Sequence, residues 1–145
     1  MRVKDALNFH ETRVKVRFNE VDSYHVAWHG HYVSWMEVGR NALAGQFGLN
    51  AEQISVAGYL APVVVLELHF KKPARFDEEL RVLTSVRRTP TATLEFVCSI
   101  VGADGVQCAA GKTVHVLTDR EGVLQYQLPP VLAERLEKLV ASLEV

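Results

Sequence analysis

One long amphipathic segment constrains the fold of this chain more than any other feature. Mostly apolar residues recur at steps of three and four, which is the spacing of one helix face. They are Tyr32, Trp35, Met36, Gly39, Ala42, Leu43, Gln46 and Phe47. We expect the helix to begin at about Gly30 or His31 and to end at Gly48, because glycine readily adopts the left-handed conformation that terminates a helix. So broad an apolar face has to be covered by the rest of the chain.

The remaining segments have mainly the patterns of β-strands. Residues 12–18 alternate between apolar and basic side chains, as in a half-buried strand. Residues 62–70 are almost continuously apolar and predict a central strand. Three further strands are predicted without an intervening helix, at 77–86, 91–101 and 106–118, and they favour an antiparallel meander.

Two shorter helices complete the prediction. Asn50 is placed to cap a short helix that runs through Val56, with Gly58 as its stop. A terminal amphipathic helix follows Pro129 and Pro130. The resulting order of elements belongs to the α+β class, with a sheet that curls around the long helix.

Composition restricts the possible functions. The 145 residues suit one domain, 1–145, and the net charge of −1 with 48% hydrophobic residues offers no basic surface for nucleic acid. Acidic and polar residues interrupt the first stretch of the chain, so we expect no signal peptide, and no apolar segment is long enough to span a membrane. A cytoplasmic location is the default expectation. Cys98 and Cys108 lack the paired spacing of a zinc site and are expected to be free, buried thiols.

A polar loop leads directly into the long helix. It contains Glu20 and Asp22, and it ends where a helix has backbone N–H groups without internal partners. A carboxylate beside such N–H groups is suited to handling an acyl carbonyl. An isolated aspartate in such a loop is equally typical of a turn in which the carboxylate binds local N–H groups.

The segment from Phe18 to Glu37 also matches a known family. Its sequence FNEVDSYH, then WHGHY, then WME, resembles the motif of the hotdog-fold acyl-CoA thioesterases, in particular the 4-hydroxybenzoyl-CoA thioesterase-like group and its relatives associated with the Tol-Pal system. The resemblance implies a hotdog fold and hydrolysis of an acyl-CoA to a free acid and coenzyme A, without a cofactor. It places Asp22 on the family's catalytic carboxylate and His29 on the histidine of the Tol-Pal branch.

Four positions depart from that motif. Phe18 stands where the Tol-Pal branch has a tyrosine, Glu20 replaces an aspartate, His25 replaces a glycine and His31 replaces an asparagine. These changes indicate an altered pocket and substrate range, and they keep open an alternative, a non-catalytic acyl-CoA-binding or regulatory hotdog protein. The hydratase motif of the same fold, Gly-Asp-x-Asn-Pro-x-His, is not matched.

The chemistry expected of the loop has two parts. Asp22 would act either as general base toward water or as the attacking carboxylate, and the sequence leaves both open. Backbone N–H groups at His29, Gly30, His31 and Tyr32 would stabilise the oxyanion. His29 would orient water, donate to the carbonyl, or cap the helix.

Other residues receive secondary roles. His29 and His31 lack an evident third metal ligand, so no metal is expected. Glu37 is predicted to be a buried structural carboxylate that fixes His29 or a strand amide. Arg87 and Arg88 align with the segment that contacts nucleotide phosphates in the 4-hydroxybenzoyl-CoA enzyme. A solvated basic turn is the plainer interpretation of that pair, and the cluster of Lys71, Lys72 and Arg75 is a weaker candidate.

The substrate pocket is expected to involve more than one chain. Phe18, Tyr24, Trp28 and Tyr59 are aromatic residues that suit either a pocket lining or the core. In the family that the chain resembles, the pocket forms between two subunits, so we expect a homodimer or homotetramer with an acyl-CoA as its substrate.

Overall fold

A computed structural model describes residues 7–145 of the chain. The helices of this part are α1 (His29–Ala44), α2 (Ala51–Val56) and α3 (Pro130–Leu143). The strands are β1 (His10–Lys15), β2 (Tyr59–Leu60), β3 (Val63–Phe70), β4 (Glu79–Arg87), β5 (Thr93–Val101), β6 (Gln107–Val116) and β7 (Thr118–Asp119). A 3-10 turn, Phe18–Glu20, precedes α1, and another, Gly45–Phe47, extends it.

Five strands form one antiparallel sheet in the order β1-β4-β5-β6-β3. Strands β4, β5 and β6 pair in sequence, which confirms the predicted meander. β1 pairs with β4 at one edge of the sheet, and β3 pairs with β6 at the other. β2 and β7 form a separate two-stranded sheet that the sequence did not predict.

The inner face of the large sheet packs against α1. The helix buries Tyr32, Trp35 and Met36 toward the sheet, where they meet a core that includes Leu80, Val82 and Ile100. Burying a side chain of this size contributes about 1.5–3 kcal/mol relative to leaving it exposed. A curled antiparallel sheet around one long helix is the hotdog arrangement, so the fold prediction is confirmed.

The ends of the first two helices agree with the sequence. The Gly45–Phe47 turn ends at Gly48, which has a φ of 76°. Asn50 caps α2 by accepting a hydrogen bond of 2.9 Å from the Gln53 backbone N–H, and the Gln53 side chain accepts one of 3.0 Å from the Asn50 N–H. This reciprocal pair satisfies two N–H groups that a helix start otherwise leaves without partners.

α3 covers the part of the inner face that lies beyond the end of α1. Leu132, Leu139 and Leu143 are buried with Leu43 and Phe96 in a second core cluster. The chain before β1 is attached to the same helix, since the Asn8 N–H donates to the Leu143 carbonyl at 2.8 Å. No helix within residues 7–145 has both the length and the apolar character needed to cross a membrane.

β1 is shorter than predicted, and its last predicted residue is not in the core. The strand ends at Lys15, and Phe18 lies in the following 3-10 turn with 78% of its surface exposed. The turn forms because the Glu20 carboxylate accepts a hydrogen bond of 2.7 Å from the Arg17 N–H. The prediction that Phe18 shares the buried face of the strand is therefore wrong.

The predicted central strand is an edge strand. β3 pairs only with β6 among the described residues. Its apolar side chains Val63, Val64, Val65, Leu66 and Phe70 are between 39% and 55% exposed. A continuous apolar segment predicts that both faces of a strand are covered, but it does not identify which elements would cover them.

The close contact between α1 and the sheet at Gly39 leads to a first prediction, on stability. A methyl group on Gly39 would lie 2.6 Å from both Thr84 Oγ1 and Val82 Cγ1. We expect Gly39→Ala to lower the free energy of unfolding by about 1–3 kcal/mol through overpacking, despite the better helix propensity of alanine. Urea denaturation measures the change.

Gly45→Ala is the matched control for that substitution. A methyl group there would meet only Asn50 Nδ2, at 3.4 Å, and its backbone is already helical. It should be neutral or stabilising by up to about 1 kcal/mol. Equal effects of the two substitutions would contradict a close helix–sheet contact at Gly39.

Candidate active site

The polar loop before α1 is a small, well-connected hairpin. Val21 and Ala27 form an isolated antiparallel bridge, and the Trp28 N–H donates to the Glu20 carbonyl at 2.9 Å. The Ala27 N–H donates to the Ala74 carbonyl at 2.8 Å, which attaches the hairpin to the loop before β4. These bonds fix the position of the hairpin relative to the start of α1.

Asp22 lies at the turn of this hairpin. Its Oδ1 accepts a hydrogen bond of 2.8 Å from the Tyr24 N–H, so the turn role expected of an isolated aspartate is present. Its other carboxylate oxygen has no hydrogen-bond partner among the described residues, and the side chain is half-buried. One oxygen thus holds the turn while the other is available to accept a proton.

His25 completes the turn with a φ of 63°. This left-handed conformation is easy for glycine and uncommon for other residues. The position is the one at which the family motif that the sequence resembles has glycine, a residue that adopts this conformation readily. The His25 N–H donates to the Asp22 carbonyl at 3.0 Å, which closes the turn.

The deeply buried carboxylate of the loop is Glu20, with 5% of its surface exposed. Besides the Arg17 N–H, it has Arg17 Nε at 3.6 Å and His31 Nδ1 at 3.9 Å. The sequence showed Glu20 and His31 as two separate departures from the motif. The structure brings them together as one polar pair at the helix start, a contact that no local pattern reveals.

The start of α1 has no side-chain cap. Trp28 occupies the cap position, and the His31 N–H donates to its carbonyl at 3.0 Å. The N–H groups of His29 and Gly30 have no acceptor among residues 7–145. Such N–H groups at the positive end of a helix are suited to bind an anionic oxygen.

The Trp28 indole packs on the first turn of the helix. Its ring centroid lies 4.8 Å from that of His29 and 5.5 Å from that of His31. The ring also lies so close to Gly30 that a side chain there would displace it. Gly30 therefore allows an aromatic residue to cover the first turn.

Tyr32 attaches the helix start to the loop before β4. Its hydroxyl accepts a hydrogen bond of 2.9 Å from the Ala74 N–H, and burial raises the pKa of the hydroxyl. The predicted oxyanion role concerned the backbone of this residue. The side chain, which the sequence did not single out, has a clear structural role.

A depression of about 290 Å³ lies beside this helix start, and we call it the helix-start depression. It is lined by Ala27, His29, Tyr32, Phe70, Lys71, Lys72 and Pro73. Asp22 does not line it. Lys72 is ion-paired with Asp104, whereas Lys71 has no ion pair among the described residues. The basic cluster that contains Lys71 and Lys72 therefore lies next to His29.

Arg87 and Arg88 lie at the opposite end of β4 from the helix-start loop. Both are exposed, and Arg88 Nη2 is 2.7 Å from Glu144 Oε1. β4 has nine residues, which separates its ends by roughly 27 Å. The two arginines are therefore remote from the helix start of their own chain.

Glu37 differs from its prediction. Its side chain is 56% exposed and lies 3.5 Å from Arg40 Nη2, rather than buried against His29. The prediction was wrong because the helical period places a residue on a face but does not show whether another element covers that face. Within residues 7–145 no three potential metal ligands are grouped.

The aromatic residues and the cysteines are now placed. Phe18 packs edge-on against Phe76 at 5.8 Å. Tyr24 is 81% exposed and Trp28 is 49% exposed, so neither belongs to the core of the single chain. The prediction of free, buried cysteines is confirmed. Burial raises the pKa of the Cys98 thiol to about 12.

A second cavity, of about 220 Å³, lies near the start of β3 between α1, α2 and the inner face of the sheet. We call it the Arg40 cavity. Its walls are mostly apolar and include Leu49, Ile54, Val63, Leu94 and Phe96, while its polar members are Arg40, Asn41 and His115. The sequence did not single out this set, because its members are distant along the chain.

His115 forms a neutral, buried wall of the Arg40 cavity. Its Nδ1 lies 3.0 Å from the Ala61 carbonyl and therefore carries the proton, while Nε2 lies 3.0 Å from Thr113 Oγ1. Burial lowers the pKa of this histidine. Its hydrogen bonds attach the segment before β3 to β6.

Comparisons with known proteins show the family to which the chain is similar. The family model described as thioesterase-like superfamily matches residues 16–136. A Synechocystis protein assigned as an esterase, sll0410, is 30% identical over 131 residues, which are 89% of this chain and 79% of that protein. YneP of Bacillus subtilis, assigned as an acyl-CoA thioesterase, is 29% identical over 108 residues, 74% of this chain and 78% of its own length.

The fold has close matches among solved structures. A DHNA-CoA thioesterase from Staphylococcus aureus superposes with a TM-score of 0.81 at 23% identity, covering 92% of this chain and 91% of that chain. At this identity the likeness shows the shared fold.

The buried histidine generates a second prediction, on pH. His115 is neutral in the folded chain, so the unfolded chain takes up a proton at a higher pH than the folded chain does. Its stabilising contribution is complete above about pH 6.5, the ordinary histidine value, and is lost as the pH falls through the lowered folded pKa. Urea denaturation at pH 7.5 and 5.5 measures the difference.

His115→Gln should show a smaller loss of stability between the two pH values than the parent. His25→Gln, a change at the exposed histidine of the hairpin turn, should leave the loss unchanged. The same loss in His115→Gln as in the parent would show that burial of this ring does not set the pH dependence.

Proposed function

The chain belongs to the thioesterase-like superfamily, and from this premise we propose that it hydrolyses an acyl-coenzyme A thioester to a free acid and coenzyme A. Thioester hydrolysis is the activity of the family, and the acyl-CoA substrate is supported by the relative YneP, which is assigned as an acyl-CoA thioesterase. The observation that carries the proposal is the hairpin that presents Asp22 just before a helix start with two free N–H groups.

Asp22 supplies the base or the nucleophile. As a base, it takes a proton from the water whose oxygen attacks the thioester carbon, and the carbon–sulfur bond breaks to release coenzyme A as a thiolate that is then protonated. As a nucleophile, its free oxygen attacks the same carbon, the carbon–sulfur bond breaks to release coenzyme A as a thiolate that is then protonated, and water hydrolyses the resulting mixed anhydride to give the free acid and regenerate the Asp22 carboxylate. A positioned base contributes roughly a hundred- to ten-thousand-fold.

The helix start supplies the oxyanion site. The free N–H groups of His29 and Gly30 bind the carbonyl oxygen as it gains negative charge, and each such donor is worth on the order of a hundred-fold or more. The His29 ring borders the helix-start depression, with its centroid 6.4 Å from that of Phe70. We assign it to orienting water or the carbonyl in that space.

We infer that the active unit is a dimer formed through the free edge of β3. The β1 edge is protected by the ion pairs of Glu11, Arg13 and Lys15 with residues on or near β4, and such charged edges discourage pairing. The β3 edge is apolar and exposed. Antiparallel pairing of two copies about a twofold axis would satisfy its backbone groups and cover its side chains.

Phosphate binding would then involve a second subunit. Arg87 and Arg88 are too remote from the helix start of their own chain, so we assign them to the nucleotide of a substrate bound to another subunit. Lys71, which is exposed beside His29, is a nearer candidate for an anionic part of the substrate.

The third prediction tests Asp22. Asp22→Asn should lower the rate constant of hydrolysis by at least about a hundred-fold, because an amide cannot act as the base. The fold should be retained, since the amide oxygen of the new side chain would still accept the hydrogen bond from the Tyr24 N–H. Thiol release, followed with a thiol-trapping dye over short-chain, long-chain and aromatic acyl-CoAs, is the measurement.

Asp77→Asn makes the same chemical change at an exposed aspartate and should be without effect. His29→Ala should cost less activity than Asp22→Asn. A fully active Asp22→Asn would remove Asp22 from the mechanism. Binding of acyl-CoA without turnover by the parent would instead identify a non-catalytic binding protein, with the absent hydroxyl at Phe18 as the leading explanation.

The fourth prediction tests the arginines. Replacing Arg87 and Arg88 with alanine should raise KM for a full acyl-CoA by about two- to tenfold, the scale of exposed ionic contacts. KM for an N-acetylcysteamine thioester, which lacks the nucleotide, should not change. Arg120→Ala is the control, and equal effects on both substrates would reject the phosphate role.

A further inference from the structure

The Arg40 cavity holds a guanidinium with few partners. The Arg40 side chain is only 15% exposed, and its one ion pair among the described residues is with Glu37, at 3.5 Å. Glu37 is itself 56% exposed. A guanidinium has five N–H donors and, when buried, is normally matched by a carboxylate in two parallel hydrogen bonds. The positive charge of Arg40 is therefore largely unmatched in the single chain.

The other walls indicate what kind of group would match it. His115 uses both ring nitrogens in hydrogen bonds and contributes no charge. Leu49, Ile54 and Phe96 make most of the remaining surface apolar. A cavity with mostly apolar walls and one cation that is largely shielded from water suits a group that has a hydrocarbon stem and an anionic end.

The distance between the helix start and Arg40 determines whether one acyl group can reach both within a single chain. Arg40 follows His29 by eleven residues, which is about 16 Å along α1. A short acyl group held at the helix start does not span that distance within its own chain. Antiparallel pairing of two β3 edges, however, places the Phe70 end of one copy beside the Val63 end of the other.

This pairing would bring the helix-start depression of one copy next to the Arg40 cavity of its partner. Phe70 lines the helix-start depression and Val63 lines the Arg40 cavity. Both residues face the inner side of the sheet, since Phe70 pairs with Ala109 and Val63 pairs with His115. In the dimer, the helix-start depression of one copy would therefore open toward the Arg40 cavity of its partner.

We propose that the Arg40 cavity receives the far end of the acyl group bound at the helix start of the partner copy, and that Arg40 selects acyl groups that end in a carboxylate. This inference rests on the proposed acyl-CoA hydrolysis and on the β3 dimer. It makes Arg40 a specificity-determining residue, while the chemistry stays with Asp22 and the helix start.

Matched pairs of substrates test the selection. Succinyl-, adipoyl- and suberoyl-CoA carry a terminal carboxylate, and butyryl-, hexanoyl- and octanoyl-CoA are their neutral counterparts of equal length. The parent should have the higher kcat/KM for the carboxylate member of at least one pair. Arg40→Met should lower the ratio of kcat/KM for the carboxylate substrate to kcat/KM for its neutral counterpart by at least about tenfold. This is the scale of one charge-assisted hydrogen bond.

Two variants serve as matched controls. Arg40→Lys keeps the positive charge and should retain part of the preference. Glu37→Gln removes the carboxylate that lies next to Arg40, so it should keep or increase the preference. Loss of the preference in Glu37→Gln to the extent seen in Arg40→Met would overturn the role of the Arg40 charge.

Mixed dimers test the contribution of the partner. A dimer of one Asp22→Asn chain and one Arg40→Met chain has both lesions in one site and none in the other if Arg40 acts across the interface. When equal amounts of the two variants exchange subunits, half of the dimers are mixed and each has one intact site. The mixture should therefore show about a quarter of the parent's activity toward the carboxylate substrate. If Arg40 acts within its own chain no site is intact, so absence of regain would overturn the transfer across the interface.

The remaining outcomes separate this inference from the function on which it rests. Turnover of neutral acyl-CoAs with no preference for carboxylates, or a ratio unchanged by Arg40→Met, would overturn the inference and leave acyl-CoA hydrolysis in place. No turnover of any thioester would overturn the proposed function, and the inference with it.

Discussion

The contact between α1 and the inner face of the sheet is the interaction on which the rest of the structure depends. Gly39 brings the helix axis close to β4, because its missing side chain leaves room for Val82 and Thr84. The hydrogen bond from the Ala74 N–H to the Tyr32 hydroxyl fixes the other end of the helix. The helix start, its free N–H groups and the hairpin before it therefore occupy defined positions relative to the sheet edge.

Within that frame, two carboxylates of one hairpin have different environments. Glu20 is buried and bonded to Arg17, with His31 nearby, so it stabilises the loop and the first helical turn. Asp22 is half-buried at the tip and uses one oxygen for the turn. Nearby acids with different surroundings are able to take different roles, and here the difference separates a structural acid from a candidate catalytic one.

The two edges of the sheet also have different side-chain environments. Ion pairs occupy the β1 edge, whereas apolar side chains occupy the β3 edge. The helix-start depression and the Arg40 cavity both border β3. This unpaired sheet edge, flanked by two cavities, supports the proposal that a second copy of the chain completes the substrate pocket.

The sequence by itself determined the elements that depend on local spacing: the long helix and its end at Gly48, the Asn50 cap, the meander of β4, β5 and β6, and the acid loop before α1. It did not determine that β3 lies at an edge, that Phe18 and Glu37 are exposed, or that Glu20 meets His31 and Arg40 shares a cavity with His115. Periodicity and capping act over a few residues, and they show which side of an element avoids water. Strand order and side-chain contacts join residues that are distant along the chain, so only the tertiary packing of the helix against the sheet decided them.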